Sequence, residues 1–242
     1  MSEDSHAANR WGYWATTAWA VAAFLIGQFA ALAFVVLWRS GKLYAVLQSP
    51  FDGVLVTLFI LISNPISFAV LLLAVRLAHA NVADYLGLHW PQRRDVITGL
   101  AVLVGLIALS DALLFLGGRE LVTPFQLQSY TTAAAEGWLA AMAFAAIVVA
   151  PAGEELIFRG FLFRGFVRTE RAAWPAIVII SLMWAALHVQ YDWAGMLQIF
   201  IIGLFLGWVR WRSGSTLLTF FLHALFNLEG TLETVLQVKY FS

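Results

Sequence analysis

Two adjacent carboxylates and an arginine, Glu154, Glu155 and Arg159, interrupt one of the most apolar stretches of the chain, between "LAAMAFAAIVVAPAG" and "FLFRGF". An ionisable side chain near the middle of a membrane span costs on the order of 2.5–3.5 kcal/mol even on the lenient insertion scale, so each invites a functional explanation. Glu155 and Arg159 are four residues apart with the acid first, the favoured order for an ion pair on one helix face. That leaves Glu154 about 100° around the helix without a local cation, as the candidate base. Two more polar intrusions follow: His188, closing "SLMWAALH", and His223 with Asn227, again four apart on one face. A carboxylate with imidazoles in a wet cavity can hold and deprotonate a water, while a second imidazole and a carboxamide N–H stabilise the oxyanion formed at a peptide carbonyl. The same Glu154, His188 and His223 could instead hold a divalent metal such as zinc, which would activate the water itself. The residues alone leave both open.

The elements that carry these groups must be membrane helices. Of 242 residues, 62% are hydrophobic and 12% charged, and the mean hydropathy of +0.83 lies far outside the soluble range. At about 20 apolar residues per span, segments fall near 14–38, 51–77, 95–117, 138–166, 173–190, 194–211 and 215–237. The expectation is an all-α polytopic transmembrane bundle of about seven to eight helices, in one membrane-embedded domain over 1–242 whose motif-bearing core covers about 138–237. The first apolar run is too long for a signal-peptide core and reads as a retained span. The stretch "ANVADYLGLHWPQRRD" reads as a linker along the membrane surface. Lysine plus arginine equals aspartate plus glutamate, at 14 each, and no basic surface suits nucleic acid. Cysteine is absent, which removes disulfides, thiolate nucleophiles and sulfur-ligated metals.

Depth permits the three polar places to meet. Counted from the Arg168/Trp174 loop, Glu154 and His188 each lie about 20 Å deep, and His223 lies about 16 Å from Arg212. Seven spans put Arg10, Arg76, Arg93, Arg94, Arg164, Arg168, Arg171, Arg210 and Arg212 on one side, against Arg39, Lys42, Arg119 and Lys239 on the other. Positive loops stay in the cytoplasm, so the N-terminus is expected there, with the protein in a bacterial cytoplasmic membrane.

At these residues the sequence resembles the CPBP family, the type II CAAX prenyl endopeptidases and their bacterial relatives, also called the ABI family. The family's Glu-Glu-x-x-x-Arg motif reads Glu154-Glu155-Leu156-Ile157-Phe158-Arg159. Its aromatic-x-x-x-His motif reads Trp184-Ala185-Ala186-Leu187-His188, with Trp where Phe is commoner, and its His-x-x-x-Asn motif reads His223-Ala224-Leu225-Phe226-Asn227. The resemblance implies an intramembrane endopeptidase in which Glu154 and His188 activate the attacking water, His223 and Asn227 stabilise the oxyanion, and Glu155 and Arg159 support the site. It leaves metal dependence open, because members have been described both as metalloproteases and as metal-independent glutamate proteases.

The remaining polar residues have plainer readings. Asp192, four residues after His188, could orient its imidazole. Asp111 reads as packing, Asn64-Pro65 as a kink, and Gln198 as an interhelical bond. His6, His79 and His89 are given no chemistry, and Trp11, Trp14, Trp38, Trp90, Trp138 and Trp174 read as interfacial anchors. No His-Glu-x-x-His, Gly-x-Gly-Asp or buried Gly-x-Ser-x-Gly is present, which disfavours other membrane protease classes. Rival readings are a non-catalytic membrane scaffold or immunity protein of the same fold, and a proton-coupled transporter, which small size and absence of an internal repeat disfavour. The expected partners are a peptide or protein substrate and the lipid bilayer.

Overall fold

The computed structural model describes residues 11–240; His6 and Arg10 therefore lie outside the described residues. The described chain is helical, with no strand. In order it forms α1 (Tyr13–Trp38), α2 (Leu43–Leu47), α3 (Gly53–Leu77), α4 (Val82–Leu86), α5 (Arg93–Leu116), α6 (Pro124–Ala135), α7 (Leu139–Phe166), α8 (Ala173–Ala186), α9 (Trp193–Ser213) and α10 (Thr216–Tyr240).

Five of these helices, α1, α3, α5, α7 and α9, are long and apolar enough to cross a bilayer. They coincide with five of the seven expected segments. The other two differ for physical reasons. Helix α8 has only 14 residues, about 21 Å, short of a hydrocarbon core of about 30 Å. Helix α10 has 25 residues, but His223, Asn227, Glu229 and Glu233 lower its apolarity. Side chains such as Phe29, Val104, Leu109 and Phe115 stand more than half exposed. That exposure is a liability in water and ordinary against lipid tails. The chain is thus an integral membrane protein, a polytopic helical bundle.

Small residues permit close helix contacts. A Cβ on Gly27 of α1 would stand 2.2 Å from Ser67 Oγ and 2.6 Å from the Ser63 carbonyl of α3, and Ser67 donates to the Ala23 carbonyl across the same seam at 2.9 Å. Helices in lipid associate through such packing and hydrogen bonds rather than hydrophobic exclusion. The main core joins α1, α3, α7, α8 and α9 around Leu71, Phe161, Ile177, Trp184 and Leu206.

The linker after α3 departs from a surface strap. Trp90 is exposed, but Tyr85 and Leu86 of α4 are buried. The backbone there is tied to the start of α10: Thr216 Oγ1 donates to Leu86 O at 2.5 Å and Ser215 Oγ to His89 O at 2.5 Å. A valine at Gly27 is expected to lower the melting temperature in detergent by several degrees by forcing α1 from α3, whereas valine at lipid-facing Phe29 should leave it nearly unchanged.

Candidate functional site

Helix α7 is not regular. Two wider π-helical turns, Ala145–Val149 and Leu156–Leu162, flank the Ala150–Glu155 segment. Pro151 has no N–H to give to the preceding turn, and π turns release carbonyls from the ordinary ladder. Two such carbonyls find donors on other helices. Asn227 Nδ2 of α10 donates to Ala146 O at 2.8 Å, and Arg210 Nε of α9 donates to Arg159 O at 2.9 Å.

Where this segment enters the second π turn, the expected ion pair is present. Arg159 Nη1 lies 2.8 Å from Glu155 Oε1, with the two side chains 1% and 0% exposed. The Glu155 oxygen also meets His223 Nδ1 at 3.0 Å. A carboxylate accepts, so this nitrogen donates and a neutral His223 presents a lone pair on Nε2. Arg159 Nη2 donates to Gly203 O at 3.3 Å, and its guanidinium lies 4.4 Å from the Trp184 ring centroid. The ion pair therefore joins α7 to α8, α9 and α10.

Trp184 is the residue that the sequence reading undervalued. Its indole N–H donates to Glu154 Oε2 at 2.5 Å. Its ring stands edge-on to His188 at 5.3 Å and to His223 at 5.2 Å between centroids. One indole thus touches Glu154, both histidines and Arg159. The departure from Phe to Trp in the second motif was the available signal, because only Trp brings a ring N–H.

His188, two residues past the end of α8, is oriented by that helix's last turn rather than by Asp192. Its Nδ1 lies 2.8 Å from the Trp184 carbonyl, which can only accept, so a neutral His188 also carries its free lone pair on Nε2. Asp192 instead caps α9 through Gly195 N at 3.0 Å and pairs with Arg119. Its carboxyl is held below the usual range first by that backbone hydrogen bond and also by Arg119. Tyr191 stacks on His188 at 6.2 Å. Burial, Tyr130 and Glu154 raise its phenol above the usual range, which keeps it protonated.

Two other intruders have contacts at this layer. Gly153 packs on Asn64, whose Oδ1 would lie 1.8 Å from a Cβ at position 153. The Asn64-Pro65 pair thus supports the segment just before Glu154. Gln198 Nε2 donates to Ser110 Oγ at 2.8 Å, the interhelical bond expected of it. Trp11 donates to Ala74 O at 3.0 Å and is held by protein in addition to any interfacial role.

Among the described residues, three potential ligand atoms come within 4.8 Å of one another at Asp111, Glu229 and Glu233. The ligand atoms of Glu154, His188 and His223 are not drawn together to that distance in this arrangement.

Comparison with known proteins agrees with this architecture. Residues 136–228 match the family model described as type II CAAX prenyl endopeptidase Rce1-like. The match covers the motif-bearing part of the chain and supports its resemblance to the CPBP family. Over 137 residues the chain is 31% identical to an Escherichia coli protein called "Uncharacterized 24.3 kDa protein", covering 54% of this chain and 62% of that relative. No solved structure matches the chain.

Replacing Arg159 with Met should destabilise the protein by about 3–5 kcal/mol, because it leaves the Glu155 charge buried without its main partner. Adding Glu155→Gln should recover part of that loss. Denaturation of the two variants beside the wild type measures both effects.

Proposed function

We propose that the protein is an intramembrane endopeptidase of the CAAX-protease type that hydrolyses a peptide bond with a water activated by Glu154 and His188. The observation that carries this reading is the convergence of Glu154, His188 and His223 on one indole, with each polar group already oriented by a fixed partner.

The geometry divides the labour. Trp184 occupies Glu154 Oε2, leaving Oε1 to accept a proton from water, while the free Nε2 of His188 accepts a hydrogen bond from the O–H that stays on the water oxygen and so directs the lone pair. As the water oxygen bonds to the scissile carbonyl carbon, one proton passes to Glu154 and the carbonyl electron pair moves onto oxygen. Asn227 spends one amide N–H on Ala146 O and has a second for that oxyanion. His223, its ring held through Nδ1 by the Glu155 carboxylate, lines the same side of the site. Collapse of the intermediate breaks the C–N bond, and Glu154 returns its proton to the leaving nitrogen. Glu155 and Arg159 touch no reacting atom and position His223 and Trp184.

The substrate is a peptide or protein reaching the cavity from the bilayer, with the N-terminus of the enzyme on the cytoplasmic side of a bacterial membrane. Comparing new protein termini in membranes carrying the wild type or Glu154→Ala identifies it. Termini should appear with the wild type alone while both proteins melt alike; the same termini with Glu154→Ala would refute the assignment. Against an identified substrate, Trp184→Phe keeps the ring and loses the N–H, and should lower kcat roughly 10–100-fold with KM little changed. A chelator should leave the rate unaltered, and restoration of a chelated enzyme by zinc would overturn the metal-free reading.

A further inference from the structure

Away from the Glu154 layer, the Arg-rich end of the bundle contains a charge without a counter-charge. Arg210 of α9 is only 8% exposed. Its Nε is used on the Arg159 carbonyl, and its guanidinium lies 5.1 Å from the Phe163 ring centroid. Arg164 of α7 is half-buried and close enough to repel Arg210 electrostatically, and its Nε is buried without a hydrogen-bond partner. Among the described residues no carboxylate forms an ion pair with either arginine. Buried charges are tolerated when they are paired. Two guanidiniums that repel each other and share no carboxylate favour an anion that both can bind.

Depth points to the source of that anion. Trp211, next in sequence, stands edge-on to Trp174 at 6.0 Å between centroids, and both indoles are partly exposed at 37% and 50%. Trp residues at the ends of spans sit at headgroup level. Arg164 and Arg210 therefore lie where lipid phosphates lie, and guanidinium matches a phosphate's paired oxygens better than any other side chain does. Basic pockets between membrane helices bind anionic headgroups by this chemistry.

We propose that Arg164 and Arg210 form a binding site for a phosphate oxyanion, occupied by the headgroup of an anionic phospholipid. The site abuts the candidate active centre through one carbonyl, because Arg210 holds the backbone of Arg159. It does not depend on the protein being a protease.

The test is thermal melting of the full chain in an uncharged detergent at constant ionic strength. The probes are short-chain phosphatidylglycerol, short-chain phosphatidylcholine and inorganic phosphate. Phosphatidylglycerol should raise the melting temperature saturably, by roughly 5–10 °C at a hundredfold excess over its dissociation constant, and phosphatidylcholine should not. The rise should vanish in Arg164→Ala, whose melting without lipid should be at or above that of the wild type, because the change relieves the repulsion of Arg210 and loses no ion pair. Arg164→Gln replaces it if the alanine variant fails to fold. An equal rise with inorganic phosphate, also lost in the variant, keeps the oxyanion site and overturns the lipid assignment. No rise with either anion, or an undiminished rise in the variant, overturns the site.

Discussion

A buried carboxylate in a membrane helix must find its counter-charge inside the protein, and the pairing of Glu155 with Arg159 meets that demand for the whole bundle. Once Glu155 is neutralised, its oxygen can also hold His223, and Arg159 can reach the Gly203 carbonyl and the face of Trp184. Four helices are thereby drawn onto one polar layer within an otherwise apolar interior. Glu154, the residue before it, is left out of that pairing and accepts from the Trp184 indole instead. Adjacent acids on one helix thus have separate duties because they point in different directions and meet different neighbours.

Trp184 extends that layer outward. A phenylalanine could supply the ring to the two histidines and to Arg159, but it could not donate to Glu154. The indole ties the orientation of the candidate base to the same ring that spaces the imidazoles, so their positions are correlated rather than independently set. Such coupling suits chemistry that needs several groups aligned at once.

Much of this was legible in the sequence where the information is local. The spacing of Glu155 and Arg159 showed their pairing, and hydropathy placed seven segments, five of which are helices long and apolar enough to cross a bilayer. What could not be read depended on departures from regular backbone. Asn227 and Arg210 reach carbonyls that are available only because α7 contains π turns, and no side-chain pattern announces those. Asp192 was credited to His188 because both are polar and four residues apart, but the helix ends at Ala186, before either of them, and the carboxylate caps α9 instead. The 80–95 stretch looked interfacial by composition, while Tyr85 and Leu86 are buried by contacts distant in sequence.

The π turn at Leu156–Leu162 has a consequence for how this chain can vary. A π turn holds one residue more than the α turn it replaces, so the extra residue is absorbed locally and the helix beyond it keeps its facing. Removing one residue there would return the turn to the α form, and the Arg159 carbonyl that Arg210 now holds would be drawn back into the helix's own ladder. A shortened α7 would therefore keep its frame and lose a tie to α9.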